Sequence, residues 1–227
     1  MNQMRSVGIP SPRVEGEHKV SGAAKYAVDV GLPDMLWAKV LRSPLAHARI
    51  KSIDVAKARA LPGVVAVLTG ADLAGAKIGK KIIDMPLLAD GVARFMGEKV
   101  AAVAATSEEI AEAALDLIDV EYEELPVLVD PMEAARPGAP LIHPDVAGYK
   151  GLLHSIDSPS NVFVNLTWKK GVVEEGFRQS DVVVEDSYRV PAIHQAYIEP
   201  HSTLVRVNAD GTADIWSSNK SPFGMRD

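Results

Sequence analysis

The residues with the greatest chemical potential lie close together in H-Q-A-Y-I-E-P-H. His194, Glu199 and His201 supply two imidazoles and a carboxylate, donor types that bind Zn²⁺. A zinc-protease site needs its histidines one helical turn apart with a glutamate between them. Pro191 and Pro200 oppose a helix here, and the histidine spacing is wrong. A structural turn whose polar side chains bond to backbone is the simpler expectation, with an independent metallohydrolase as a lesser alternative. Residues 75–81, G-A-K-I-G-K-K, resemble a phosphate loop. They have one residue too few between the glycines, and no Ser or Thr follows to hold Mg²⁺. A surface loop is expected there. Cysteine is absent, so the chain forms no disulfide and offers no thiolate to an iron–sulfur cluster.

Bulk properties exclude further classes. Apolar content of 47% and charged content of 24% are ordinary for a globular protein. The net charge of −6 argues against a general nucleic-acid binder, which needs clustered Lys and Arg. Lys77, Lys80 and Lys81 come nearest to a basic patch and read as a solvated loop. No apolar run is long enough for a membrane span and no export signal is evident, so the cytoplasm is the expected location.

The elements that must position any site are organised around residues 99–124. K-V-A-A-V-A-A suits a strand buried on both faces. Ile110, Ala113, Ala114, Leu117 and Ile118 then fall on one helical stripe, and Thr106 with Glu109 makes a capping box. D-V-E-Y-E-E alternates as a half-exposed strand does. If the two strands are parallel neighbours, their crossover is right-handed. Earlier, strands are expected over 35–42, 49–53 and 64–68, with a short helix capped by Asp54 and ended by Pro62-Gly63. Residues 69–93 read as a surface excursion. Later, strands are expected over 162–168, 181–189, 203–207 and 212–217, and a short helix over 171–179. The turn Asn208-Ala209-Asp210-Gly211 joins the last two strands.

On residues alone this is an α+β protein with no self-contained active site. Further motifs carry a resemblance: V-S-G-A-A-K-Y-A-V-D, D-M-L-W-A-K-V-L-R-S-P-L-A-H-A-R-I-K-S-I-D, A-L-P-G-V-V-A-V-L-T, F-M-G-E-K-V-A-A-V-A-A and V-E-Y-E-E-L-P. With these the chain resembles the N-terminal part of the molybdopterin-binding large subunit of the xanthine dehydrogenase/aldehyde oxidase family. The resemblance implies an N-terminal arm (1–17), an α/β hammerhead domain (18–126) and a Pro-rich connection (127–161). An incomplete first segment of the molybdopterin-binding domain would follow (162–227).

The resemblance also implies function. Such enzymes hydroxylate aldehydes or N-heterocycles with oxygen from water, at a molybdenum–molybdopterin centre. Fe–S clusters and usually FAD, carried on other subunits, take the electrons. Within W-S-S-N-K-S-P, Asn219 stands where the family carries a glutamine whose amide approaches the molybdenum's oxo ligand. Asn219 is one methylene shorter, and the plain alternative is a loop residue. The glycine-rich F-G motif and the catalytic glutamate of the family have no counterpart in the sequence, so no catalytic or metal-ligating residue is assigned. The chain is therefore expected to act with a larger molybdopterin-binding chain, an iron–sulfur subunit and a flavin subunit. The alternative is a non-catalytic scaffold or binding module that retains the hammerhead fold.

Overall fold

The computed structural model describes residues 10–153, 156 and 158–226. Residues 1–9 of the expected arm lie outside the described residues. In chain order the strands are β1 (Trp37–Arg42), β2 (Ala48–Asp54), β3 (Val64–Thr69), β4 (Lys77–Ile78), β5 (Met85–Pro86), β6 (Val92–Ala93), β7 (Lys99–Ala105), β8 (Asp119–Glu124), β9 (Thr203–Val207) and β10 (Ala213–Ser217). The α-helices are α1 (Gly16–Val20), α2 (Ala56–Ala60), α3 (Glu108–Leu115), α4 (Pro131–Ala134), α5 (Val173–Gln179) and α6 (Pro222–Arg226). Two compact units result, one of residues 34–183 and one of the chain before 34 with the chain after 183.

The larger unit is built on β7, the middle strand of the antiparallel sheet β1-β7-β3. Small apolar residues suit that position, because both faces of β7 are covered and both edges are paired. Ala101 and Val103 meet Val55, Ala58, Val67, Ala114 and Ile118 in one core cluster. Helices α2 and α3 therefore lie against this sheet. Lys39 of β1 reaches α3, donating to Glu108 at 2.6 Å and to Glu112 at 2.8 Å. One ammonium thus offsets two carboxylates a helical turn apart, which would otherwise repel.

The helix differs from the expectation in its cap and at one position of its stripe. Ser107, not Thr106, is the cap: its hydroxyl accepts from the Ile110 N–H at 3.3 Å. Of the expected stripe, Ala114 and Ile118 are buried and Ile110 and Leu117 half-buried, whereas Ala113 faces solvent and Ala111 is buried in its place. Thr106 is engaged elsewhere, its N–H donating to the Gly63 carbonyl at 2.9 Å. That bond draws the end of β7 toward the turn before β3 and delays the cap by one residue.

A second antiparallel sheet has the order β6-β2-β8. Strands β7 and β8 consequently belong to different sheets, and the conditional parallel crossover does not arise. Alternation holds along β8, where Val120 and Tyr122 are half-buried between exposed acids. Those acids pair across the sheet, Arg49 with Glu123 and Lys51 with Glu121, both at 3.4 Å. The exit is clamped by His47, whose Nδ1–H donates to the Pro126 carbonyl at 2.7 Å while its own carbonyl accepts from the Leu125 N–H. Residues 69–93 are more than a surface excursion. Leu88, Ala89 and Ala93 are buried, and β6 completes the second sheet.

Beyond β8 the connection is irregular but pinned. Asp130 caps α4 by accepting from the Met132 N–H at 2.8 Å. The Asn161 amide donates to the Ala134 and Pro140 carbonyls and accepts from the Ile142 N–H. In the smaller unit β9 and β10 form an antiparallel hairpin with Val205 opposite Ile215. Its turn uses Gly211 at φ +85°, a conformation open to glycine without strain. α6 follows. The expected strands over 162–168 and 181–189 do not form. Alternation alone does not make a strand, because the backbone needs a neighbouring strand to bond, and these segments have none among the described residues.

Candidate functional site

Asn219 sits just past β10 on a cleft of about 460 Å³ that Ile215, Ser217, Pro222 and Met225 help to line. Its side-chain carbonyl accepts from the Ser221 N–H, an Asx turn that leads the chain into α6. Its NH₂ group bonds to no protein group among the described residues. The side chain is thus held by its oxygen and keeps two donor hydrogens. Asn219 is itself exposed. That arrangement suits hydrogen-bonding to an acceptor oxygen, so this residue fits an oxo-bearing group; it does not by itself enclose one.

The imidazoles do not converge. Tyr197 lies between them, its ring centroid 5.2 Å from that of His194 and 4.9 Å from that of His201. The Tyr197 hydroxyl meets His201 Nδ1 at 3.3 Å, and His194 Nδ1 accepts from the Ala196 N–H at 3.0 Å. With that bond, His194 Nδ1 is a backbone acceptor and no free ligand. No group of three or more His, Cys, Asp or Glu among the described residues is placed to hold a metal ion. Residues 75–81 are likewise not a phosphate cradle: Lys77 and Ile78 pair with Pro86 and Met85 in a short hairpin.

One feature was not legible in the sequence. A cleft of about 200 Å³ opens between the connection and the chain around Asp84, and His143 and Tyr149 share a 2.9 Å hydrogen bond on its wall. Burial, then the nearby Arg94 guanidinium, hold His143 below the usual imidazole range, while Asp84 opposes the shift. Burial pushes the Tyr149 phenol up. Asn161 pins three stretches of chain around this cleft, so its role here is architectural. The only hint was H-P-D-V-A-G-Y, whose Pro and Gly allow a short turn to bring the two rings together.

Comparison with known proteins bears on the whole chain. Residues 21–126 match the family model described as aldehyde oxidase and xanthine dehydrogenase, a/b hammerhead domain. Residues 153–227 match the molybdopterin cofactor-binding domain. A probable xanthine dehydrogenase subunit of Bacillus subtilis (strain 168) is 40% identical over 215 residues, covering 94% of this chain and 27% of that protein. The nicotinate dehydrogenase large molybdopterin subunit of Eubacterium barkeri is 36% identical, covering 95% of this chain and 48% of that protein. The crystal structure of Cu,Mo-CO dehydrogenase in its carbon monoxide reduced state superposes with a TM-score of 0.82 at 34% identity. That superposition covers 96% of this chain and 28% of the other. The chain therefore spans between about a quarter and a half of the length of these relatives. Relatives named as subunits or large chains belong to enzymes of more than one polypeptide.

Proposed function

Since this chain belongs to the xanthine dehydrogenase/aldehyde oxidase family, we propose that it is the hammerhead-containing portion of a molybdenum hydroxylase acting on an aldehyde or N-heterocycle. In this reading it works only with polypeptide that supplies the rest of the cofactor site, and with Fe–S and FAD subunits, in the cytoplasm. The observation that carries the reading is a contrast in burial. The core around Val103 is closed, whereas from residue 162 onward large apolar side chains lie open, with Trp168 93% and Ile198 99% exposed. Bare surface of that extent supports a docking face for further polypeptide.

Molybdenum–molybdopterin, when bound, supplies the two-electron redox chemistry and the water-derived oxygen. The part that falls to this chain is positional. The Asx turn orients the Asn219 amide, whose NH₂ would donate to an acceptor oxygen of the bound group.

The test is molybdenum analysis of the assembly purified through this chain from the cells that make it. About one molybdenum per chain is expected. An assembly that contains this chain and no molybdenum would favour the scaffold alternative.

A further inference from the structure

Two stretches far apart in sequence are fastened to each other around His143. One is residues 142–150 of the connection, and the other is residues 77–94. The Ile83 N–H donates to the Lys150 carbonyl at 2.9 Å, and Arg94 Nε–H donates to the Ile142 carbonyl at 3.2 Å. The Lys77 ammonium lies 4.4 Å from the centre of the Tyr149 ring. His143 is half-buried and meets Tyr149 edge to face, with centroids 5.7 Å apart, besides sharing a hydrogen bond with its hydroxyl. The charges that face this imidazole are unequal: Arg94 and Lys77 are cations, and Asp84 is the acid set against them. Asp145 acts on Tyr149, and Lys150 lines a neighbouring cleft with Lys77 and Tyr149. A neutral ring fits these surroundings. An imidazolium meets two cations and one anion where water is partly excluded, and with N–H on both nitrogens it leaves the Tyr149 oxygen only to accept.

We propose that His143 is the release of an acid-sensitive latch: its protonation detaches residues 142–150 from residues 77–94 and loosens the connection, while the sheet β1-β7-β3 stays folded. The inference does not depend on the molybdenum reading. Its sign follows from the surroundings of the ring. Burial, then Arg94, hold His143 below the usual imidazole range. Closure is therefore fully favoured above the ordinary imidazole value and is lost as pH falls through the lowered one. The effect is local because the core cluster of Val55, Ala58, Val67, Ala101, Val103, Ala114 and Ile118 contains no group that titrates. The cleft of about 200 Å³ lies between the same two stretches, so it opens as they part.

Hydrogen exchange of the Ile83 amide in the full chain tests this, because that N–H is bound to Lys150 only while the latch is closed. After correction for the intrinsic pH dependence of exchange, its protection should fall by about threefold or more between about pH 7 and pH 5. Protection of the β7 amides should hold over the same interval. In His143→Gln, whose side chain is neutral throughout, the Ile83 protection should stay level. Asp84→Asn removes the opposing acid and should deepen the fall, and Lys77→Met removes a facing cation and should make it shallower. Constant Ile83 protection in the unaltered chain overturns the proposal, and so does a fall that persists undiminished in His143→Gln. A parallel loss in β7 also overturns it, since the whole unit is then unfolding. If His143→Gln does not fold, the other two variants decide: a fall of the same depth in both overturns the latch.

Discussion

Replacing Ala114 by leucine should destabilise the larger unit, while the same change at Ala113 should not. Ala114 is fully buried on α3 and packs among Val55, Ala58, Ala101 and Val103. Two of these are alanines on the opposing elements, so the helix approaches the sheet closely and an isobutyl group has nowhere to go. Overpacking of this kind costs about 1–3 kcal/mol. Ala113 faces solvent, where a substitution changes stability by about 0.5 kcal/mol or less. For a body of this size each kcal/mol moves the melting temperature by about 2–4 °C, so Ala114→Leu should lower it by about 2–12 °C. Thermal unfolding followed by circular dichroism reads both variants under one condition. Equal losses at the two positions, or a larger loss at Ala113, would refute the helix register and with it the packing of α3 on β7.

Further outcomes follow from the same geometry. Lys39→Met leaves Glu108 and Glu112 facing each other, so the melting temperature should fall more in dilute buffer than in molar salt, a difference that thermal scans at two ionic strengths detect. His143 is held below the usual imidazole range by burial and then by Arg94, so the folded state favours the neutral ring. Its contribution to stability is complete above the ordinary imidazole value and is lost as pH falls through the lowered one. His143→Gln should therefore flatten the fall in denaturant midpoint between about pH 7 and pH 5. In the assembly, Asn219→Ala should reduce kcat by about tenfold or more with molybdenum content unchanged, and Asn219→Gln should retain turnover. Steady-state kinetics with metal analysis separates loss of the donor from loss of cofactor.

What the sequence disclosed depends on where the relevant interactions lie. The small apolar run 99–105 identified the central strand because burial on both faces leaves a compositional mark. The hairpin of β9 and β10 was equally plain, since Asn208 to Gly211 encodes its own turn. The cap of α3 was displaced by one residue because the Thr106 backbone is committed to Gly63, a contact 43 positions back that no local pattern reveals. The assignment of β7 and β8 to different sheets is also a long-range property. The clamp of His47 on Pro126, and the His143–Tyr149 pair, went unseen because each joins polar groups across irregular chain. The segments over 162–168 and 181–189 show the opposite case: the pattern is strong, and no strand forms there among the described residues.

For Asn219, resemblance singled out a candidate and the structure adds its posture. Its carbonyl is spent on the Ser221 N–H and its NH₂ is left to donate, which spacing alone could not indicate. The histidines of H-Q-A-Y-I-E-P-H, by contrast, were chemically attractive in type and are separated by the Tyr197 ring.

The most direct measurement is native mass spectrometry of whatever accompanies this chain when it is drawn intact from its own cells. The expected result is a complex whose mass requires a longer molybdopterin-binding polypeptide together with iron–sulfur and flavin subunits. A monodisperse species at the 24.3 kDa of this chain, stable and unaccompanied, would contradict it.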